Sequence, residues 1–395
     1  MIPRFVDRLI KPGSLMRRQF LGGLRRFSVE RHVYAEQVCI RGSHRVIIRG
    51  EPVTIASPSD DDFLQRSSHY RLGWFVRNDI CTAEIPNALV QVGKGIVCDR
   101  FLRLVAEHGF ENRLNNLSDA MNFRKLKPEI MRGNYAMINH PYAGNFGHWM
   151  IDCIPRIITL EMAYPFRPVV FLMPEDSNEF QRETLDIVLP PHFSVKYLDR
   201  DLWVRPEKLF WASPASAVEN YMLPSLYFQG IRSRIFARYG LAEVHQMTKR
   251  IYISRRKAKY RRIINEVAVQ ELLLEYGFES VDLETLSFRR QVELFHQCEI
   301  LVAPHGAGVC TSIFSGPISI LVLYATQSPP NFFHTQAKGL GQKHFYMCGN
   351  SRLDDDDFVV DLGELRRKLD EMLACGAPGA LIPAERRPSR ELTDF

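Results

Sequence analysis

The sequence predicts an α/β protein in which two Rossmann-like domains face a cleft, after a β-rich region near the start of the chain. Three observations support this fold class. Short runs of alternating polarity fill residues 32–105 and are interrupted by Gly, Pro and Asp, as in hairpins. Strand-type and helix-type segments then alternate from about residue 134, and a second alternating series begins at Lys249. With 395 residues, of which 46% are hydrophobic, the chain can bury the cores of two domains.

Residues 1–31 are a basic N-terminal arm. Eight Arg and Lys residues in this arm stand against only two acidic residues, Asp7 and Glu30, and the arm accounts for much of the net charge of +6. Such an arm is typical of a solvated leader. Contact with an anionic membrane surface stays open as an alternative, whereas nucleic acid is not expected as a partner.

Three features of the sequence predict a cytoplasmic protein. The stretch RRQFLGG resembles a twin-arginine signal, but the polar stretch LRRFSVER stands where the apolar segment of a signal should follow. No run approaches the roughly 18 apolar residues of a transmembrane helix. The eight cysteines are scattered without a C-x-x-C pair, as reduced core residues are. Peripheral association with the inner membrane face, through the basic arm, stays open.

The β-rich region and the first α/β series make up the predicted N-terminal domain, residues 32–240. The region contains three strand-type segments, HVYAEQVCI, HRVIIRGEPVTIA and NALVQVGKGIVCD. The series that follows consists of the strand NYAMINH, a helix from Gly144 to Tyr164, the strand PVVFLMP, a helix from Glu179 to Leu189, and the strands FSVKYLD and KLFWAS.

The second series forms the predicted C-terminal domain, residues 241–375, with a tail at 376–395 and a hinge at Leu241–Thr248. Its segments are the strand RIYIS, a helix from Asn265 to Tyr276, the strand FESVD, a helix from Ser287 to Cys298, the strand EILVAP, a short helix from about Ala307 and the strand SILVLY. Asn265 is a predicted N-cap, and Gly277 a predicted C′ residue.

The stretch GNFGHWMIDCIPRI, from Gly144 to Ile157, combines polar residues with the start of an apolar helix. His148 and Asp152 are four residues apart, so a helix places them on one face while its apolar residues pack inward. A polar edge on a buried helix indicates a functional surface, and His148 and Asp152 are candidates for a general base. A satisfied interior histidine beside a surface aspartate is the alternative.

Arginines follow the strand RIYIS directly. Arg255 and Arg256 stand at its carboxyl end, and Arg261 and Arg262 complete the basic loop before the next helix. Ligands of α/β domains bind beyond the carboxyl ends of the strands, and guanidinium groups suit phosphate. We therefore predict an anion site here. A solvent-exposed basic loop is the alternative.

A second phosphate signal lies at the end of the strand EILVAP, which runs into His305, Gly306, Ala307 and Gly308. Glycines let a phosphate approach the backbone, and the following helix supplies unpaired N–H groups and a positive dipole end. The pattern is neither a full G-x-G-x-x-G fingerprint nor a P-loop. Together with the arginines, and with His305 counted among the cations, it predicts a clamp that neutralises a leaving diphosphate.

We expect neither a cofactor nor a catalytic metal ion. The acidic runs Asp60–Asp62 and Asp354–Asp357 are typical of solvated turns. No D-x-D pair stands at a strand end of the first domain, where a divalent ion would bind.

Three motifs resemble, in order and spacing, those of family 61 glycosyltransferases: GNFGHWMIDCIPRI, YISRRKAKYRRIINE and ILVAPHGAGVCTSIF. The resemblance covers about Ala83 to Tyr324, and Val309 stands where many members have Leu. It implies a GT-B fold, a nucleoside-diphosphate sugar as donor, UDP-linked in the first instance, and inversion at the anomeric carbon. The acceptor would be a hydroxyl of a glycan or glycoconjugate. Without an anchor or paired cysteines, the chain is similar to bacterial cytosolic members that build surface or capsular polysaccharide.

The chemistry and position of the motif residues give each an expected role. Asp152 or His148 is expected to act as general base, with Asp152 serving directly or orienting His148. Glu266 either reaches the ribose or is a helix-start carboxylate, and the second reading is favoured. The expected donor-binding residues are Arg255, Arg256, Arg261, Arg262, His305, Gly306, Ala307 and Gly308. The expected secondary residues are Asn145, Trp149, Ser254, Asn265 and Glu266.

The acceptor is expected to bind the N-terminal domain, residues 32–240, and to contact its loops Pro141–Asn145 and Ser213–Tyr221. A noncatalytic nucleotide- or glycan-binding scaffold with the same fold is the rival function. The presence of His148 and Asp152 together with the arginine cluster argues against it.

Overall fold

The computed structural model describes residues 32–54, 61–67, 74–105, 127–216, 222–242, 247–351 and 356–374. The predicted basic arm, the C-terminal tail and parts of the predicted hinge and of the loop Ser213–Tyr221 lie outside the described residues. The mixed α/β class predicted from the sequence is confirmed. No helix in the described part of the chain has the length and apolar character needed to cross a lipid bilayer.

The strands of the described residues are numbered in chain order. They are β1 His32–Val33, β2 Arg45–Ile48, β3 Pro52–Thr54, β4 Trp74–Val76, β5 Ile80–Pro86, β6 Leu89–Gln91, β7 Ile96–Cys98, β8 Leu104–Val105, β9 Glu129–Ala136, β10 Val169–Pro174, β11 Phe193–Leu198, β12 Trp203–Ala212, β13 Lys249–Ile253, β14 Phe278–Val281, β15 Cys298–Pro304, β16 Ser319–Tyr324, β17 Lys343–Cys348, β18 Asn350–Ser351 and β19 Phe358–Val359.

The helices are numbered in the same way. They are α1 Ala35–Val38, α2 Asp61–Arg66, α3 Phe146–His148, α4 Ile154–Ala163, α5 Glu179–Val188, α6 Ser225–Tyr239, α7 Glu266–Glu275, α8 Phe288–His296, α9 Phe332–Gly339 and α10 Leu362–Ala374. A π-helical turn at Trp149–Cys153 joins α3 to α4, and Leu283–Thr285 and Ala307–Phe314 are 3₁₀ helices.

The chain divides into two compact units. The first comprises Met1–Glu243 with Pro330–Gly339, and the second Val244–Pro329 with Leu340–Phe395. The sequence analysis gave all of residues 241–375 to the C-terminal domain, so the assignment of α9 to the first unit is a correction. Its physical basis is burial: His334 on α9 is fully buried, and its ring lies 5.1 Å from that of Phe63 on α2.

A ten-stranded mixed sheet forms the centre of the first unit. Its order is β1-β8-β7-β6-β12-β9-β10-β11, and β5 pairs with both β12 and β2. Strands β1, β2 and β5–β8 of the β-rich region therefore extend the α/β sheet, whereas β3 and β4 pair with each other in a separate two-stranded sheet. Strand β12 runs parallel to β9 with Phe210 opposite Ala136, so the chain leaves both strands side by side at their carboxyl ends.

The second unit contains a five-stranded parallel sheet with the order β14-β13-β15-β16-β17. In chain order this is the doubly wound arrangement 2-1-3-4-5. After β13 the chain crosses to β14 on one side of β13. After β14 it crosses back to β15, which lies on the other side of β13. A crevice opens where the direction reverses, outside the carboxyl ends of β13 and β15.

Two local predictions need correction. The segment HVYAEQVCI contains the helix α1, because good helix formers follow Ala35 and the Gln37 side chain accepts the Tyr34 N–H at 3.1 Å. The helix α6 was not predicted. Its apolar signal was nonetheless present, since Tyr227, Ile231 and Ile235 recur every four residues and are buried.

Candidate functional site

The predicted helix from Gly144 begins with a side-chain cap. The Asn145 Oδ1 atom accepts the N–H groups of Gly147 at 2.9 Å and His148 at 3.4 Å. The helix then widens into the π turn Trp149–Cys153. Pro155 explains this widening, because it lacks an N–H and its ring opposes the carbonyl four residues earlier. The π turn places Asp152 at a feature that is frequent in functional sites.

Trp149 anchors this helix in the core. The indole is fully buried, and its Nε1–H donates to the Thr184 Oγ1 atom on α5 at 2.7 Å. The bond fixes the rotation of the helix, and with it the direction of the neighbouring His148 side chain. Trp149 and Asn145, both expected as secondary site residues, therefore hold the helix in place.

His148 and Asp152 form a close pair on the polar edge. The His148 Nδ1 atom lies 2.8 Å from the Asp152 Oδ2 atom, and the His148 side chain is 21% exposed against 3% for Asp152. The Ser216 hydroxyl donates to the Asp152 Oδ1 atom. Burial acts to raise the pKa of Asp152, but hydrogen bonds from His148 and Ser216 and the nearby His140 hold it below its usual value.

An ionised Asp152 determines the tautomer of its partner. The carboxylate only accepts hydrogen bonds, so the His148 Nδ1 atom carries a proton and the Nε2 atom of a neutral ring carries the lone pair. Asp152 is a weak base because its pKa is lowered, whereas the oriented imidazole can take a proton through Nε2. The geometry favours the reading in which Asp152 orients His148.

His140 is a member of the cluster that the sequence analysis missed. It follows β9, is 4% exposed, and its Nε2 atom lies 3.8 Å from the Asp152 Oδ2 atom. Its ring is edge-on to that of His148 at 5.4 Å. The available signal was its place in NYAMINHP, at the carboxyl end of a predicted strand. Because β9 and β12 end side by side, His140 and Ser216 both reach Asp152.

The composition of this cluster raises the question of a metal ion. Ligand atoms of His140, His148 and Asp152 lie within 4.8 Å of one another. The His140 Nδ1 atom, however, accepts the Tyr142 N–H at 3.2 Å, so its Nε2 atom carries the proton and offers no lone pair to a metal ion. These donors do not fit a metal ion without a change of tautomer. The absence of a catalytic metal stays a prediction.

A second cluster lies in the crevice of the second unit. Arg255 follows β13, and its guanidinium lies against the backbone of Gly306, which follows β15. A Cβ atom at Gly306 would meet the Arg255 Nη1 atom at 2.3 Å. The Nη2 atom of Arg255 donates to the Tyr260 carbonyl at 3.1 Å, while the buried Nε atom has no hydrogen-bond partner in the described residues. Burial and the neighbouring Arg261 lower the pKa of Arg255, so an anion is favoured here.

Arg261 reaches the same place from the far end of the basic loop. Its Nη1 atom donates to the His305 carbonyl at 3.1 Å and to the His305 Nδ1 atom at 2.6 Å. Its backbone has a φ of 58°, a left-handed conformation that is costly outside glycine and is found mainly where structure serves function. The loop thus holds two guanidinium groups at the carboxyl ends of β13 and β15.

His305 is neutral. This corrects the prediction that His305 is one of the cations of the diphosphate clamp. Burial, together with Arg261 and Arg255, lowers the pKa of His305 to about 3. Since its Nδ1 atom accepts from Arg261, its Nε2 atom carries the proton and is a neutral donor. The ring stacks on Tyr324 at 5.2 Å. The 3₁₀ helix that begins at Ala307 adds the backbone N–H groups of Ala307 and Gly308.

Arg262 points away from this cluster. It donates to Asp357, with its Nε atom 2.8 Å from Oδ2 and its backbone N–H 2.8 Å from Oδ1. Asp357 is 4% exposed, so the acidic run Asp354–Asp357 is not wholly the solvated turn that we expected. A buried carboxylate needs a cation, and Arg262 supplies it. Arg256 is exposed, and its backbone N–H donates to the Ser254 Oγ atom at 3.3 Å.

Asn265 and Glu266 have structural roles in the second unit. Asn265 does not cap α7 with its side chain. Its Nδ2 atom donates to the Val360 carbonyl at 2.9 Å, and its Oδ1 atom accepts the Val360 N–H at 3.0 Å. The buried Glu266 Oε1 atom accepts from the Tyr252 hydroxyl at 2.8 Å. Glu266 is therefore the helix-start carboxylate of the favoured reading. Gly277 has the φ of 75° expected of a C′ glycine.

The two neutral histidines predict an acid-sensitive fold. The folded chain holds the pKa of His140 and of His305 at about 3, against an ordinary value of 6.5. Below about pH 6.5 the unfolded chain gains protons that the folded chain does not, so stability falls as the pH drops, by up to ~1.4 kcal/mol per pH unit for each histidine. Urea unfolding of the wild type, His140→Gln and His305→Gln at about pH 7 and about pH 5 measures this. Equal pH dependence in all three would contradict it.

Comparison with known protein families gives a match for part of the chain. A family model described as Glycosyltransferase 61 matches residues 146–322. The match begins with the first residue of α3 and ends within β16, so it includes His148, Asp152, the basic loop and the turn at Gly306. No curated protein matches the chain. Residues 146–322 match a glycosyltransferase family 61 domain, and this domain identifies the protein as a glycosyltransferase.

Proposed function

We propose that the protein is an inverting glycosyltransferase that moves a sugar from a nucleoside-diphosphate donor to a hydroxyl of a glycan or glycoconjugate. Uridine diphosphate is the nucleotide that the family resemblance favours. The observation that carries the proposal is the His148–Asp152 pair at 2.8 Å, placed on a π turn at the start of the matched domain. A buried carboxylate that orients a partly exposed imidazole is the arrangement of a general base.

The proposed reaction is a single displacement at the anomeric carbon. The acceptor oxygen attacks the anomeric carbon, the new C–O bond forms, and the bond from that carbon to the phosphate oxygen breaks. The hydroxyl proton goes to the His148 Nε2 atom, and the bonding electron pair leaves with the diphosphate. Asp152 stabilises the imidazolium that forms, because its carboxylate accepts the Nδ1–H of that ring.

The donor diphosphate is proposed to bind in the crevice of the second unit. Arg255 and Arg261 supply two positive charges, His305 a neutral N–H, and Ala307 and Gly308 backbone N–H groups. These groups are fixed before the reaction, so they stabilise the charge that grows on the leaving diphosphate without rearrangement. Arg262 is not included, since Asp357 holds it.

The remaining parts of the proposal rest on the resemblance to the family and on the sequence. They are the two-domain GT-B arrangement, inversion, independence from metal ions, a role in surface or capsular polysaccharide synthesis, and a cytoplasmic location with contact between the basic arm and an anionic membrane.

A nucleotide titration tests the donor site. We expect uridine diphosphate to stabilise the protein by roughly 2.7 kcal/mol at about 100 times its dissociation constant, because ligand binds only the folded state. Differential scanning fluorimetry with the diphosphate and with uridine monophosphate measures the gain. Equal stabilisation by the two nucleotides would argue against a diphosphate clamp. Transfer and donor hydrolysis assays in EDTA should be unchanged, and loss of both rates on chelation would restore a metal to the mechanism.

A further inference from the structure

Asp152 has more contacts than an orienting carboxylate needs. One of its oxygen atoms accepts from Ser216, the other from His148, and a third donor, the His140 Nε2 atom, faces it from 3.8 Å. His140 comes from the loop after β9 and is separate from the helix that carries the pair. A contact of 3.8 Å is longer than a full hydrogen bond, so at rest it acts as a charge–dipole interaction.

The backbone determines which nitrogen of His140 faces the carboxylate as a donor. The Tyr142 N–H donates to the Nδ1 atom at 3.2 Å, which leaves the proton of the neutral ring on Nε2. The charged or titratable groups around this ring are Asp152, the Arg156 guanidinium one turn further along the helix, and His148, whose backbone also forms a hydrogen bond with it. Burial and the positive charge of Arg156 oppose a second positive charge on His140, so the ring remains a neutral donor.

We propose that His140 is a positioning residue that holds the Asp152 carboxylate in the orientation from which it directs His148. The inference rests on the proposed function, in which His148 takes the acceptor proton. When the imidazolium forms, negative charge on Asp152 is drawn toward its Oδ2 atom, and the His140 N–H facing that atom keeps the carboxylate from rotating. His140 is buried, and the role assigned to it is exerted through Asp152 and not on the sugar donor or the acceptor.

Variants of His140 test the proposal because each of them either keeps or removes the N–H group that faces Asp152. His140→Leu removes the N–H, and we expect kcat to fall roughly 3- to 10-fold, the worth of one neutral hydrogen bond, with the KM for the donor unchanged. His140→Gln places an amide N–H near the same position and should recover most of kcat. His44→Leu, a histidine before β2, is the matched control and should leave kcat unchanged. An unchanged kcat in folded His140→Leu would overturn the proposal.

Imidazole NMR on the full chain labelled with ¹⁵N-histidine gives a readout that a purely structural role would not move. We expect His140 in the Nε2–H form, His148 in the Nδ1–H form, and a loss of the Nδ1–H signal of His148 in His140→Leu. An Nδ1–H tautomer at His140, or an unchanged His148 signal in that variant, would overturn the proposal even if His140→Leu were too unstable to assay.

The rate of sugar transfer in these variants separates this inference from the proposed function. If His148→Ala transfers sugar at the wild-type rate, the base assignment fails and the role of His140 falls with it. If His148→Ala is inactive while folded His140→Leu keeps the full rate, only the positioning role of His140 is lost.

Discussion

Replacing His148 with alanine is expected to lower kcat for sugar transfer by about 10²- to 10⁴-fold, the usual contribution of a positioned general base. The ring is partly exposed and lies at the edge of the helix, so its removal opens no core cavity. Binding of uridine diphosphate should be unchanged, because the diphosphate clamp is built from other residues. Steady-state transfer kinetics and a nucleotide titration on one preparation measure both quantities.

Asp152→Asn is expected to give a loss of the same order, by a different route. The amide presents two N–H donors to a site where Ser216 and His148 already donate. The favourable response is for the His148 ring to exchange tautomers, which protonates Nε2 and removes the base. The double variant His148→Ala/Asp152→Asn should be little slower than either single variant, because residues that act as a unit are not additive.

A purely structural role for the pair gives a different pattern. Each substitution would then lower the free energy of unfolding by about 1–3 kcal/mol, and activity would fall only with the folded fraction. Asp186→Asn, at an exposed position on α5, is the matched control for the change of charge. Full specific activity in folded His148→Ala would exclude His148 as the base.

Gly306→Val is expected to weaken donor binding at least as much as the loss of the Arg255 side chain. A Cβ atom at this position would lie 2.3 Å from the Arg255 Nη1 atom and 3.0 Å from its Cζ atom, so the guanidinium must move. The valine also blocks the approach of a phosphate to the backbone at the start of the 3₁₀ helix. A loss of roughly 10²-fold in kcat/KM for the donor is expected from removal of one such charge-stabilising group.

Comparison with Arg255→Ala shows whether the two residues act together. Arg255→Ala alone should also cost about 10²-fold, because it removes charge compensation that grows as the diphosphate leaves. Once Arg255 is absent, the clash of Gly306→Ala disappears. The double variant Gly306→Ala/Arg255→Ala should therefore resemble Arg255→Ala alone.

Arg256→Ala is the matched control for the loss of an arginine in the same loop. Arg256 is exposed and follows Arg255 directly, so its loss should change donor affinity far less than that of Arg255. If Gly306→Val bound the nucleotide normally, the phosphate site would have to lie elsewhere. Equal effects of Arg255→Ala and Arg256→Ala would indicate a diffuse positive field in place of a built site.

Local sequence signals predicted most of the elements around both clusters. The order of apolar strands and polar helix starts located β13, β15 and β16 almost to the residue, because strand and helix periods differ and Gly and Asn mark helix ends. The spacing of His148 and Asp152 was sufficient to predict their contact, since residues four apart on a helix are neighbours. The π turn was not predicted, although Pro155 is its signal.

Contacts between distant segments could not be read in this way. Nothing near Arg262 in the sequence shows that Asp357, 95 residues later, is buried against it. His140 and Ser216 meet Asp152 only because β9 and β12 are parallel neighbours in the sheet. The neutral state of His305 likewise depends on burial and on two arginines that the loop brings close to it.

The sequence by itself determined the α/β class, the resemblance to family 61 glycosyltransferases and the residue types at the two clusters, because these follow from periodicity and from motifs with fixed spacing. The tertiary structure alone decided which of those residues lie together. Arg255 and Arg261 lie together at the crevice while Arg262 pairs with a buried carboxylate, and Asp152 accepts hydrogen bonds from two segments of the chain. The physical reason is that charge state and hydrogen-bond partner depend on burial and on neighbours across the sheet, which local sequence does not contain.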